Sequence, residues 1–97
     1  MEKRDLKHKI MTICEYAMLE GRNTDWVNVI ESIGIVEGEY NSNSGFDYLD
    51  EKEFVELIER LLEAVEIMVT LGESESATVY KLSLISKIYL NVQKWSV

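Results

Sequence analysis

The sequence predicts an all-α fold, a small helical bundle of about four helices that forms a single domain over residues 1–97. Four segments place apolar residues at the three- and four-residue spacing of an amphipathic helix. Gly21, Gly34 and Gly72 each end one of these segments, as expected where a chain turns left-handed after a helix. The chain is 46% hydrophobic over 97 residues, a length and composition that suit one buried core.

The first two helices are predicted over residues 4–20 and 25–33. On the first, four apolar residues share one face with a cysteine beside them: Leu6, Ile10, Ile13, Ala17 and Cys14. The second is short, and Asn23, Thr24 or Asp25 is expected to cap it. Three of its residues share a face: Trp26, Ile30 and Ile33.

The third helix has the strongest pattern. Asp50 is expected to cap it, and Glu53 follows three residues later in a variant of the capping box. A seam then repeats at spacing four-three-four-three: Phe54, Ile58, Leu61, Val65 and Met68. Apolar residues flank the seam on both sides, so the apolar arc is about 200° wide. Such an arc predicts a central helix with neighbours on two or three sides.

The last helix is predicted from residue 74 to about residue 95. Its helical face comprises Ala77, Leu84, Ile88, Val92 and Trp95. β-Branched and aromatic residues are frequent here and would also suit strands, but the length of the segment and its lack of an internal turn favour a helix. Residues 35–49 have no helical period, and we expect an irregular loop or a short hairpin there.

The formal net charge of −8 is unevenly distributed along the chain. Residues 47–75 carry −8, residues 1–46 carry −3 and residues 76–97 carry +3. The charge of the whole protein therefore equals that of the third helix and its flanks. Because binding to phosphates needs an excess of Lys and Arg, this charge argues against direct contact with nucleic acid.

Four glutamates of the third helix, Glu56, Glu59, Glu63 and Glu66, form a stripe about 80° wide opposite the apolar seam. No Lys or Arg lies inside this acidic stripe, although like charges at this spacing destabilise a helix. Three interpretations follow: a solvated face, a docking surface for a basic partner, or a charge neutralised internally by lysines of the last helix. Those lysines are Lys81, Lys87 and Lys94, and Lys81 falls within the apolar arc of its own helix, which suggests an interhelical partner.

The candidate partner-binding residues extend from the stripe into the preceding loop. Tyr40 and Tyr48 bracket the polar loop, where aromatic rings suit recognition. The full candidate set is Tyr40, Asp47, Tyr48, Asp50, Glu53, Glu56, Glu59, Glu63 and Glu66. Val79 and Leu90 lie on the far side of the last helix, where either a fourth neighbour covers them or they contact another chain.

The sequence offers no arrangement that favours catalysis or metal binding. His8 and Cys14 are six residues apart on one helix, too far around it to form a thiolate–imidazole pair, and Cys14 fits a small core residue. The acidic run from Asp47 lacks the alternation of an EF-hand. We therefore expect no enzyme activity, no metal and no cofactor. A single cysteine, no membrane-spanning segment and no secretory signal predict a cytoplasmic protein.

Small size and concentrated negative charge favour a non-enzymatic, protein-binding inhibitor. By analogy of class, such a protein is an immunity protein that neutralises a basic, nuclease-type toxin, or a mimic of nucleic acid that blocks a nucleic-acid-binding enzyme. The alternative is a structural or regulatory module that forms a homodimer or larger homo-oligomer through apolar surface on its last helix.

Overall fold

The computed structural model describes residues 3–33 and 51–95, and the four predicted helices form in it. Helix α1 spans Lys3–Glu20, a single 3₁₀ turn spans Gly21–Asn23, and α2 covers residues 26–33. Helix α3 spans Glu51–Leu71 and α4 spans Glu75–Gln93. The described residues contain no strand, so the all-α helical bundle is confirmed. The loop or hairpin expected at residues 35–49 lies outside them.

Three residues shape the turn between α1 and α2: Gly21, Thr24 and Asp25. Gly21 adopts a φ of +53°, which starts the 3₁₀ turn at little steric cost. Thr24 is buried and its hydroxyl donates to the Ala17 carbonyl at 3.2 Å, which ties the turn to α1. The Asp25 carboxylate accepts the N–H of Asn28 at 3.2 Å. Of the three candidate caps, Asp25 is therefore the N-cap of α2.

The connection from α3 to α4 is short because both helix ends are capped locally. Gly72 has a φ of +85°, and its N–H donates to the Met68 carbonyl at 2.8 Å, which closes α3. Ser74 begins α4 as its N-cap, with its hydroxyl accepting the N–H of Ala77 at 3.1 Å. These two caps turn the chain back so that α4 runs antiparallel to α3.

Helix α4 packs against both α1 and α3 and runs antiparallel to each. At one end of the bundle, the Lys7 ammonium donates to the carbonyls of Gln93 and Trp95 at 3.2 and 2.9 Å, where the dipole of α4 favours a cation. The rings of Phe54 and Trp95 meet edge to face there, with centroids 5.4 Å apart. Helix α4 thus contacts both other long helices, whereas the apolar arc predicted the central place for α3. The predicted neighbours on two sides of α3 are present, as α4 and α2. A face covered with glutamates keeps one side of α3 in water.

The core draws on all four helices and agrees closely with the predicted faces. Its buried apolar residues are Leu6, Ile10, Cys14, Ala17, Trp26, Val29, Ile33, Phe54, Leu57, Ile58, Leu61, Val65, Leu84, Ile85, Ile88, Val92 and Trp95. One face is rotated from the expected one: on α2, Val29 is buried and Ile30 is only half-buried. Val29 lines a depression shared with α1, and Ile30 lines one shared with α3. No helix of the described residues is both long and apolar enough to cross a membrane.

Candidate partner-binding surface

The acidic stripe lies on the solvent side of α3, and all four of its glutamates are exposed. Glu56 and Glu66 are ten residues apart, so the row of carboxylates is about 15 Å long. The opposite side of the helix is fixed in the core by Phe54, Ile58 and Leu61. Packing on one face therefore holds the backbone of the stripe in place while the carboxylates point into water.

No Lys or Arg whose side chain the structure describes forms a salt bridge with a carboxylate of the acidic stripe, although Arg60 is exposed one turn after Glu56 on the same helix. The salt bridge found among these side chains joins Lys81 to Glu73 and involves no stripe residue. Lys87 on α4 and Lys94 directly after it are exposed and form no such bridge. The negative field of the stripe is thus directed outward, where it attracts positive charge over about a Debye length.

Lys81 has the interhelical partners that its place in an apolar arc predicted. Its side chain is 0% exposed, and its ammonium donates to Glu73 Oε1 at 2.7 Å and to Met68 Sδ. The ammonium also lies 4.4 Å from the centroid of the Trp26 ring, a cation–π contact. Lys81 thus contacts α2, α3 and the connection after α3. It neutralises Glu73 rather than the stripe.

The pKa of Glu73 is lowered by these same contacts. The largest cause is the hydrogen bond from Lys81, followed by the bond that the Thr78 hydroxyl donates at 2.8 Å. Burial acts in the opposite direction but is outweighed. Glu73 therefore stays ionised down to a lower pH than an ordinary glutamate, which keeps a counter-charge beside the buried ammonium.

Five of the nine predicted partner-binding residues can be placed. Glu53, Glu56, Glu59, Glu63 and Glu66 are all exposed on α3. Glu53 stands to one side of the acidic stripe, about 60° around the helix from Glu56. The other four, Tyr40, Asp47, Tyr48 and Asp50, lie outside the described residues.

A groove between α2 and α3 is the surface feature that the sequence did not reveal. It has a volume of about 380 Å³ and is lined by Ile30, Leu62, Val65, Glu66, Val69 and Thr70. Leu62 and Val69 belong to the row of apolar residues that widens the apolar arc of α3. This row is the sequence feature from which the groove could have been predicted. Whether that row is covered depends on the neighbour, and the eight described residues of α2 extend only about 12 Å along a helix of 21 residues.

A second exposed surface lies on α4 and is mainly apolar. Val79, Tyr80 and Leu90 are each more than half exposed. A shallow depression is lined by Glu75, Ser76, Val79, Tyr80 and Ser83, all from this one helix. The sequence left two explanations for Val79 and Leu90, cover by a fourth neighbouring helix or contact with another chain. None of the described helices covers them.

Cys14 is a core residue, as the sequence predicted. Its side chain is fully buried, and burial, assisted by the charge of Glu15, raises the pKa of the thiol to about 12. The thiol is therefore protonated near neutral pH, and the thiolate form that reacts as a nucleophile is disfavoured. His8 is exposed on α1. Among residues 3–33 and 51–95, no three His, Cys, Asp or Glu side chains are grouped so that they could hold a metal ion.

No protein-family model matches this chain, and neither a curated protein nor a solved structure matches it significantly. Within residues 3–33 and 51–95, the acidic stripe of α3 and the apolar face of α4 are two surfaces with a distinct chemistry. The first suits a positively charged partner, and the second suits an apolar one.

Proposed function

We propose that this protein is a non-enzymatic inhibitor of another protein, such as an immunity protein that neutralises a basic, nuclease-type toxin through the acidic stripe of α3. The observation that carries the proposal is a row of four exposed carboxylates without a described basic partner, on a helix fixed by its opposite face. A nuclease binds its substrate through Lys and Arg that neutralise phosphates. A fixed row of carboxylates can occupy such a cleft and exclude the substrate.

The physical advantage of this arrangement is in the rate of association. Complementary charge raises association rate constants well above those of neutral surfaces and disfavours wrong partners. For an inhibitor of a toxin made in the same cell, rapid capture is the property that protects the host. The proposal therefore also places the protein in the cytoplasm, a reducing compartment that suits a chain with one cysteine.

A second candidate function is supported by the exposed face of α4. There the protein is a structural or regulatory module that associates with copies of itself, as a homodimer or larger assembly. Val79 and Leu90 lie on a face that carries serines and no carboxylate between residues 76 and 93. Val79 and Tyr80 are adjacent and Leu90 lies three turns along the same helix, and apolar side chains that form a continuous exposed patch mark sites of contact between chains.

The inhibitor proposal is tested with the protein encoded by the neighbouring open reading frame as the probe. The test variant carries Glu56→Lys, Glu59→Lys, Glu63→Lys and Glu66→Lys. The control carries Asp5→Lys, Glu15→Lys, Glu20→Lys and Glu75→Lys, which are exposed acids of α1 and α4. Each reversal changes the charge equally, so the two variants have the same net charge and differ only in where the charge lies.

We expect the stripe variant to bind the probe roughly 100-fold more weakly and to lose inhibition of its nuclease activity, while the control binds within about tenfold of the wild type. Binding is measured by calorimetry, and folding of both variants is checked by circular dichroism. A folded stripe variant that still binds as tightly as the wild type would show that the stripe is not the site. A neighbouring product without nuclease activity would remove the immunity form of the proposal.

A further inference from the structure

We infer that the groove between α2 and α3 is the apolar half of the partner site, and that it receives an aliphatic side chain which the basic partner presents beside a Lys or Arg. This inference rests on the proposed function and specifies what the partner must carry. It follows from two properties of the groove: its open apolar walls and its contact with the acidic stripe.

The walls of the groove are apolar side chains that the bundle leaves partly uncovered. Leu62, Val65 and Val69 form the α3 wall, and Ile30 forms the α2 wall. Val69 is 66% exposed, and Leu62 and Ile30 are half-buried. The groove volume of about 380 Å³ falls within the range of natural ligand pockets, roughly 300–1,000 Å³. An aliphatic side chain placed here would remove apolar surface from water on both helices.

The groove and the acidic stripe are one continuous surface because Glu66 belongs to both. Glu59 and Glu66 form the edge of the stripe nearest α2, and Leu62 and Val69 follow each of them by three residues on the same side of α3. A partner that reaches the groove therefore passes directly beside two carboxylates. An apolar ligand without a positive charge would leave those carboxylates unpaired, whereas a neighbouring Lys or Arg would pair with them.

The α2 side of the groove adds no carboxylate to its lining. Ile30 lines the groove, whereas Glu31 is exposed about 100° further around α2 and does not line it. The negative charge beside the apolar floor therefore lies on the α3 side, at Glu66 and the neighbouring Glu59. The chemistry that fits is a cationic segment with one aliphatic residue at its centre, the pattern of an apolar anchor surrounded by charged contacts at a protein interface.

Two other depressions among the described residues do not combine these features. The groove between α1 and α2 is smaller, about 150 Å³, and its lining contains no carboxylate: Thr12, Ile13, Tyr16, Asn28, Val29 and Ser32. The depression on α4 includes Glu75 but has only one helix as its wall. Charge complementarity therefore selects the groove between α2 and α3 as the site for a basic protein.

The test uses the full-length protein and two pentapeptide probes, Lys-Arg-Leu-Arg-Lys and Lys-Arg-Ser-Arg-Lys, with blocked ends. Their charges are identical, so a difference in affinity reports on the central side chain. We expect the leucine peptide to bind about tenfold more tightly and to shift the methyl resonances of Ile30, Leu62 and Val69. We expect Val69→Gln to abolish the difference between the peptides. Val79→Gln, a matched change at an equally exposed valine on α4, should leave it intact.

The outcomes separate this inference from the proposed function. Equal affinities for the two peptides, or no binding of either, would overturn the groove while leaving the test on the intact partner unaffected. A persistent tenfold preference in the stripe-reversal variant would support the groove and count against the stripe. Groove resonances that shift with protein concentration alone, and cease to shift in Leu90→Gln, would show that the occupant is a second copy and would overturn the inference.

Discussion

At the scale of single residues, Lys81 joins several parts of the bundle. A buried ammonium loses its hydration, and this cost is offset only when the charge is paired and its donors are satisfied. Glu73 supplies the charge, Met68 a second acceptor and Trp26 an aromatic face. Because these partners come from α2, α3 and the connection before α4, one side chain links three parts of the bundle.

The first prediction concerns the carboxylate of Glu73. We expect Glu73→Ala to lower the free energy of unfolding by about 1–3 kcal/mol at pH 7, because it leaves the Lys81 ammonium buried without its counter-charge. The folded state lowers the pKa of Glu73, so its contribution is complete above the unfolded-state pKa of about 4.3. The contribution is lost as the pH falls through the lower folded-state pKa. Urea denaturation of both proteins at pH 7 and pH 3 measures this difference.

The control for this prediction is Lys81→Met, which removes the buried charge and keeps most of the volume. It should cost less than Glu73→Ala, and adding Glu73→Ala to it should cost little more, since no ammonium then needs pairing. A deficit in Glu73→Ala that is equally large at pH 3 would contradict the electrostatic explanation.

At the scale of elements, α3 has a sequence that weakens the isolated helix and an environment that maintains it. Glu56–Glu59, Glu59–Glu63 and Glu63–Glu66 are like-charge pairs at three- or four-residue spacing. The buried seam on the opposite face offsets this repulsion through tertiary packing. The stripe lowers the stability of the helix, and a role in binding would explain why the sequence carries it.

The second prediction follows from this repulsion. Combining Glu59→Gln with Glu63→Gln breaks all three pairs, and we expect the free energy of unfolding to rise by about 1 kcal/mol in low salt. The gain should shrink in 1 M NaCl because salt screens the repulsion in the wild type. Urea denaturation measures both values. The matched control, Glu15→Gln with Glu75→Gln, changes the net charge equally, and an equal gain there would mean that the net charge and not the stripe is responsible.

At the scale of the whole molecule, charge is divided between faces. The α3 face carries the acidic stripe, whereas α4 has no carboxylate after Glu75 and exposes Lys87 and Lys94. With Lys81 buried against Glu73, the positive charge of residues 76–97 is only partly available at the surface. The two candidate contact surfaces therefore respond to salt in opposite ways.

The third prediction uses this difference. A complex formed through the acidic stripe should weaken by at least about tenfold between 50 and 300 mM NaCl. Self-association through Val79 and Leu90 should persist or strengthen, because burial of apolar surface is not screened by salt. Sedimentation of the protein alone and with its partner at both salt concentrations checks this. A complex that is insensitive to salt would favour the α4 face, and Val79→Lys with Leu90→Lys would then dissociate it.

The sequence by itself determined the features that depend on neighbours in the chain. The positions of the helices and the exposure of the acidic stripe follow from helical spacing. The sequence also limited the N-cap of α2 to Asn23, Thr24 or Asp25, and the structure shows that it is Asp25. The burial of Cys14 follows similarly from its place on the apolar face of α1.

Tertiary structure alone decided which sides of the helices meet. That Val29 rather than Ile30 is buried, that α4 contacts both α1 and α3, and that Lys81 pairs with Glu73 all depend on packing between distant segments. The groove beside Glu66 also depends on how distant segments pack. An apolar row such as Leu62 and Val69 is predicted by its period, but whether it is covered depends on the length and tilt of the helix beside it, which helical period does not encode.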